Sequence, residues 1–334
     1  MVTLLNILDY SPIDEGRNAR QALLATTKLA KRAEELGYHR FWVAEHHHVL
    51  SVAGSSPEML MMHLATSTKR MRIGSGGVML PHYSAYKVAE NFRMLEALHP
   101  NRIDLGIGRS PSYQIVNRAL NETKGKRVSY EQQVQDINKF ITDDTSEDHR
   151  FNSLIATPII ETIPEMWMLG TGMGSAKIAA DSGTAYAFAH FAKPSEAAVD
   201  AVDHYRKHFK PSRLLDKPKV MIAVFAIIAE TAEKAEELAK AFDLWLLFVE
   251  SDNPPPYYPS VQTANRRGIS TIEKDKVMQN RKRMIIGDAE QVRDEIKRVA
   301  DLYQADEVTI IPNFFGADNR MEGIALLAQA FGLH

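Results

Sequence analysis

Eight short apolar runs recur along the 334-residue chain, and helical or polar stretches separate them. The runs are 3–9, 40–46, 71–79, 103–109, 165–171, 185–191, 219–228 and 307–312. Stretches with apolar residues at helical spacing follow at 19–36, 57–67, 84–98, 128–141, 175–182, 196–208, 232–249, 288–303 and 320–331. Punctuation agrees with these limits. Gly37 and Pro100 stand just past helix ends, Ser56-Pro57 reads as a helix start, and Asp288 with Gln291 reads as a capping box. Strands that alternate with helices need crossover connections and make a parallel sheet. Doubly wound sheets usually have fewer strands. The count therefore predicts an α/β fold, a (β/α)8 TIM barrel, as a single domain over 1–334 with no second block of composition. Two stretches exceed the bare alternation and are expected as insertions. The polar Ser110–Lys126 follows the fourth strand. Ser251–Arg283, with Pro254, Pro255, Pro256 and Pro259, follows the seventh and is expected to be a lid rather than a linker.

Composition narrows the function. Apolar residues make up 45%, enough for a large core, and the formal charge of -2 offers no basic field for nucleic acid. Without cysteine, disulfides, thiolate nucleophiles and cysteine-ligated metals are excluded. Asn6 and Asp9 interrupt the first apolar run, and no basic region precedes it, so it does not read as a signal peptide. The longest apolar run, Val220–Ala229, has about ten residues, too few to span a bilayer. A cytoplasmic protein with neither nucleic-acid nor membrane partners is expected.

Four motifs fall at the carboxyl ends of predicted strands, the end of a barrel that carries chemistry. The second strand runs through Trp42-Val43-Ala44 into Glu45-His46-His47-His48. Strand alternation would put Ala44, His46 and His48 on one face, with Glu45 and His47 on the other. His46 and His48 have the two-residue spacing of strand metal ligands, but no third ligand completes a set, so no metal is expected. An acid/base or cofactor contact by one of these histidines is favoured over merely structural histidines. The third strand holds Gly74, Gly76 and Gly77, which mark close approach of a flat ligand or a bulge. Arg109 ends the fourth strand and suits a phosphate, the alternative being an ion pair with a helix acid. The fifth strand runs into Gly170-Thr171-Gly172-Met173-Gly174-Ser175 and then a helix. Free N–H groups and the positive dipole end at such a turn hold phosphate, although a plain tight connection has the same sequence. The third glycine and the acidic residue of a dinucleotide fingerprint are missing. A phosphorylated planar cofactor such as FMN fits all four motifs, and so does a sugar phosphate.

Together these stretches resemble the bacterial luciferase-like, flavin-dependent monooxygenase family, and most closely its single-component-type branch. The matching residues are Leu8–Pro12 with Glu15-Gly16, Ala33–His47, Ile73–Pro81, Ala89-Glu90, Leu95–Leu98, Pro100, Arg102–Arg109 and Gly287–Val292. The match is loosest over Ser110–Pro164 and Ser251–Arg283. The resemblance implies a barrel that binds FMN, supplied in reduced form by a separate NAD(P)H-dependent flavin reductase, and that uses O2 to oxygenate a small organic substrate. It places His46 as the active-site histidine and Gly76-Gly77 at a cis peptide beneath the flavin ring. It gives Arg109 and the Gly170–Ser175 turn to the FMN phosphate, and 251–283 to a lid. Where the luciferases carry a cysteine beside the flavin this chain has Gly108, so light emission is not implied. The usual Gly-Ser-Ser turn reads Gly170-Thr171-Gly172 here, with one hydroxyl fewer. A deazaflavin-dependent reductase and a non-catalytic flavin binder are the alternatives on the same fold. The helix 57–67 is apolar around most of its circumference through Met59, Leu60, Met61, Met62 and Leu64, so a homodimer is expected.

Overall fold

In the computed structural model, residues 4–110, 112–122, 125, 128–192, 194, 196–251 and 254–333 are described. The chain opens with β1 (Leu4–Asp9), α1 (Ala19–Glu35), β2 (Arg40–Val43), α2 (Pro57–Ser67), β3 (Arg72–Ser75), β4 (Val78–Met79) and α3 (Ala85–Leu98). It continues through β5 (Ile103–Gly108), α4 (Gln114–Leu120), α5 (Tyr130–Ile141), β6 (Glu165–Gly170), α6 (Met173–Ser182), β7 (Ala185–Ala189) and α7 (Glu196–His208). β8 (Val220–Ala229), α8 (Ala232–Val249), α9 (Val261–Arg267), α10 (Thr271–Arg281), β9 (Met284–Asp288), α11 (Ala289–Tyr303), β10 (Glu307–Ile311) and α12 (Ala317–Phe331) complete it. Thr3, expected to begin the first strand, lies outside the described residues.

All strand pairs are parallel, and the sheet runs β10-β1-β2-β3-β5-β6-β7-β8, with β8 returning to β10. That is a closed eight-stave barrel with helices between staves, the expected (β/α)8 fold. The third stave is broken. β3 pairs with the start of β5 and β4 with its end, and between them the Gly76–Gly77 peptide is cis. β8 forks: Met221–Phe225 pairs with β10, while Phe225–Ala229 pairs with β9, a strand the sequence reading left within a connection.

Local chemistry accounts for the helix limits. Asn18 and Gln21 form a capping box at the start of α1, and Gly37 sits at φ +82° just past its end, a conformation that suits glycine. Asp288 caps α11 as expected, its carboxylate accepting from Gln291 N–H at 3.0 Å. Ser56 makes no side-chain cap bond at α2, so Pro57 alone marks that start. The connection after β8 is mostly ordered structure. Tyr258 is fully buried, donates its hydroxyl to Asn313 O at 2.8 Å and is bridged to Asp14, while Glu15 accepts from Ser260 N–H at 2.8 Å. Of the stretch expected as a lid, Asp252 and Asn253 lie outside the described residues. Lys126, at the end of the polar stretch after the fourth strand, does too.

The amino-terminal end of the barrel is closed by charge. Arg40 starts β2 and is 1% exposed. Its guanidinium donates to Asp104 at 2.7 Å, to Glu307 at 2.8 and 2.9 Å and to Glu165 at 2.9 Å. Arg72 donates to Asp104 at 2.8 Å, and Lys219 pairs with Glu165 and Glu307 at 2.9 and 3.0 Å. Three cations thus meet three carboxylates. Asn6 adds a donor to Glu307 at 2.8 Å and Trp42 one to Asp104 at 2.9 Å. Arg40 and Lys219 hold the Glu307 carboxyl down at about 2 despite its burial.

Candidate active site

The opposite, carboxyl end of the barrel opens into a cavity of about 620 Å3. Its walls are the ends of successive staves: Tyr10 after β1, Ala44 to His47 after β2, Gly76 and Met79 around the third stave, Arg109 after β5, Leu169 to Thr171 at the end of β6, and Phe191 beyond β7. A second cavity of about 290 Å3 shares Arg109, Ser110, Leu169, Gly170 and Thr171 with the first. It continues over Gly172, Met173, Gly174 and Ser175. Of the residues singled out in the sequence, His46, Gly76, Arg109 and Gly170 to Ser175 line these two cavities, whereas Gly74, Gly77 and His48 do not; a Cβ at Gly77 would press on Gly106 O at 2.7 Å.

The smaller cavity is a cradle at the start of α6. No side chain caps this helix, and the N–H groups of Met173, Gly174 and Ser175 have no acceptor among the described residues. A Cβ added at Gly172 or Gly174 would meet nothing within 4 Å, so these glycines leave room for an occupant rather than for a neighbouring wall. Arg109 is exposed on the rim and forms no ion pair among the described residues. The Ser175 hydroxyl points away from service as a ligand. It donates to Gly172 O at 2.8 Å and meets the Tyr186 hydroxyl at 3.1 Å, so Ser175 offers the cradle its N–H. Thr171 lies at the junction of the two cavities, and its hydroxyl has no hydrogen-bond partner among the described residues. Free N–H donors, a dipole end and a guanidinium fit a phosphate.

The larger cavity is mostly apolar and aromatic, with histidines on one wall. β2 ends at Val43, three residues before His46, so strand alternation no longer applies there. Glu45, His46 and His47 all line the cavity, against the expectation of opposite faces. His48 turns away at φ +59°. The His46 ring packs edge-on to Tyr10 at 4.7 Å, and its buried Nδ1 has no hydrogen-bond partner among the described residues. Burial, reinforced by His47, pushes His46 down to about 4, so the ring is neutral at neutral pH. Among the described residues, no three His, Asp or Glu side chains converge as metal ligands.

The glycine strand has a partly internal explanation. A Cβ at Gly74 would strike the Trp42 indole, and one at Gly106 would overlap Ser75 O. Of the third stave's glycines, only Gly76 borders the cavity. Sequence reasoning also missed Tyr10, Glu45 and Tyr83 as site residues. Tyr10 directly follows a strand, and the rule that found His46 would have found it. Tyr83 follows the 3-10 turn Leu80–His82, where no periodic signal exists.

Comparison with known proteins agrees with this geometry. The sequence model of a family described as luciferase-like monooxygenase matches residues 6–305. The uncharacterized protein YwcH of Bacillus subtilis is 46% identical, with 98% of each chain covered. The N-acetyl-S-alkylcysteine monooxygenase of the same organism is 35% identical, covering 98% of this chain and 97% of its own. The crystal structure of apo-MsnO8 superposes with a TM-score of 0.89 at 31% identity, covering 99% of this chain and 98% of its own. Two solved structures share the fold alone. The FMN-bound oxygenating constituent of 3,6-diketocamphane monooxygenase from Pseudomonas putida has a TM-score of 0.68 at 16% identity, with 98% of this chain and 97% of that one covered. An F420-dependent secondary alcohol dehydrogenase has a TM-score of 0.70 at 14% identity, with 99% of each covered.

Proposed function

The chain belongs to the luciferase-like monooxygenase family, and from that premise we propose that it is an FMN-dependent monooxygenase acting on a small organic substrate. One observation carries the cofactor: a ring-sized apolar cavity that runs, past Arg109 and Thr171, into an uncapped glycine cradle. The cradle N–H groups of Met173, Gly174 and Ser175, with Arg109, would hold the phosphate, and Gly170, Thr171 and Gly172 would shape its approach. Gly76 would sit beneath the ring, with Gly77 keeping the wall thin. The bound flavin, reduced by a separate NAD(P)H-dependent reductase, supplies the electrons and activates O2. The chain's part is to orient the ring and substrate and to keep water out. His46, neutral and on the cavity wall, would serve as proton acceptor at the reacting edge.

Two expectations made from sequence are carried further as proposals. For 251–283 we propose a fixed cover from Tyr258 onward, because Tyr258 and Ser260 are tied to the β1–α1 connection. For the oligomer we propose a homodimer through α2 and α3. Met59 is 75% exposed, and Leu98 on the neighbouring helix is 61% exposed. A second copy would cover both. Light scattering at micromolar concentration is expected to give twice the chain mass; a monomer contradicts it.

Cofactor choice tests the reading. Ultraviolet-visible titration is expected to show FMN binding in preference to a deazaflavin, and NAD(P)H alone is expected to leave bound FMN oxidised. Preference for the deazaflavin would favour the reductase alternative. Within this reading, Arg109→Ala is expected to weaken FMN binding by about one to two decades in Kd, since a hydrogen bond to a charged group contributes roughly 1.5–3 kcal/mol. Riboflavin, which lacks the phosphate, is expected to bind wild type and variant alike. Equal losses for the two ligands would remove Arg109 from the phosphate site.

A further inference from the structure

Glu45 has no role in the function proposed above, yet it is the most completely engaged side chain on the cavity wall. Its side chain is fully buried. Oε1 accepts from the Tyr83 hydroxyl at 2.7 Å and meets His47 Nε2 at 2.6 Å. Oε2 accepts from Met79 N–H at 2.9 Å. No lysine or arginine pairs with this carboxylate among the described residues, so hydrogen bonds alone must compensate its burial. The donors come from three separate segments: the turn after β2, the end of β4 and the turn before α3. Burial, followed by the nearby Glu45 charge, raises Tyr83 well above its ordinary value, so it stays a neutral donor.

This arrangement dictates the state of His47. A ring nitrogen 2.6 Å from a carboxylate oxygen must carry a proton, so the neutral ring is the Nε2–H tautomer and Nδ1 holds the lone pair. Nδ1 has no hydrogen-bond partner among the described residues, and the His47 side chain is 16% exposed on the cavity wall. The geometry points to Glu45 as a positioning residue: it fixes the tautomer of His47 so that Nδ1 is the nitrogen that exchanges protons with the cavity, and Tyr83 stops the carboxylate from turning. His47 then complements His46. His46 has no carboxylate partner among the described residues, whereas the His47 ring is oriented by Glu45, as in an acid–histidine pair of a hydrolase.

The inference rests on the oxygenase reading for its consequence in turnover but not for its direct test. That test is 15N spectroscopy of labelled histidines in the FMN-loaded protein. Wild type is expected to show His47 as Nε2–H, and Glu45→Gln, whose amide can turn and donate, is expected to show a mixture of tautomers. Tyr83→Phe is expected to give a smaller shift in the same direction, and it serves if Glu45→Gln does not fold. An unchanged tautomer in a folded Glu45→Gln protein, or in Tyr83→Phe where Glu45→Gln fails to fold, overturns the inference. In turnover, Glu45→Gln and His47→Gln are each expected to lower kcat by about 10²-fold or more, with FMN Kd within about twofold of wild type. The double variant is expected to be no worse than the poorer single one, because residues acting as a unit do not lose activity additively. Losses that multiply contradict the unit. If wild type oxygenates nothing, the oxygenase reading fails while the tautomer result still decides the role of Glu45.

Discussion

Replacing His46 with alanine is expected to leave FMN binding within about twofold of wild type while coupled oxygenation falls about 10²–10⁴-fold. The ring stands at the carboxyl end of the second stave and borders the larger cavity, not the phosphate cradle, so its loss leaves the anchoring groups intact. Its Nδ1 is buried and has no hydrogen-bond partner among the described residues. Because burial holds the ring at about 4, it enters the neutral pH range as an acceptor, and its contribution should be flat from pH 6 to 8. His46→Gln, which keeps a hydrogen-bonding group without the basic nitrogen, is expected to recover little. The check is product formed per O2 consumed with a substrate identified by screening; unchanged turnover removes His46 from the mechanism.

Arg40→Met is expected to destabilise the fold by about 3–5 kcal/mol, read as a lower midpoint in chemical unfolding. The guanidinium reaches three carboxylates, and Asp104 and Glu307 are fully buried, so its removal leaves buried charge uncompensated. Adding Glu307→Gln to Arg40→Met should recover part of the loss, since the two act in one network. The same network sets acid tolerance. Glu307 is held at about 2, below its ordinary 4.5, so its stabilisation is fully present above about pH 4.5. It is lost as pH falls towards 2 and amounts to roughly 3 kcal/mol. In Arg40→Met this acid-sensitive share should shrink. An unfolding midpoint that does not move would show that the network adds nothing to stability.

Much of the fold was legible because hydrophobic periodicity and punctuation agreed locally. The limits of the helices at 57–67, 196–208 and 232–249 coincide with those read from sequence, and Gly37 ends α1 as its position implied. What escaped has physical causes. None of the α4 residues is buried, and α9 and α10 each bury a single one, so no apolar stripe announces them. β9 offers only Met284-Ile285-Ile286 before a glycine, too short a run to separate from a connection. The charge cluster under the barrel comes from Arg40, Arg72, Asp104, Glu165, Lys219 and Glu307, which stand at or near strand starts. There a charged residue ordinarily reads as the edge of a loop, and only closure of the barrel brings the six together.

The candidate site was legible in its glycine cradle and less so in its histidine wall. Gly170–Ser175 and Arg109 carry their chemistry in residue type and in position at strand ends, which sequence displays. The division of labour among Glu45, His46 and His47 depends on the strand ending at Val43 and on Tyr83 reaching back from a later turn, which it does not. The Gly74–Gly77 run was read mainly as room for a flat ligand. Its largest demands turn out to be internal, from the Trp42 indole and the neighbouring stave.

The central claim is that this chain uses reduced FMN and O2 to oxygenate a small organic molecule. Its most direct test is turnover under 18O2, with reduced FMN supplied by a separate reductase, against aldehydes, amines, thioethers and sulfonates, followed by mass analysis of the products. The account predicts O2 consumption that depends on one of these substrates, with one 18O atom in its product. Tight FMN binding without substrate-dependent O2 consumption, or a product reduced without label, would contradict it.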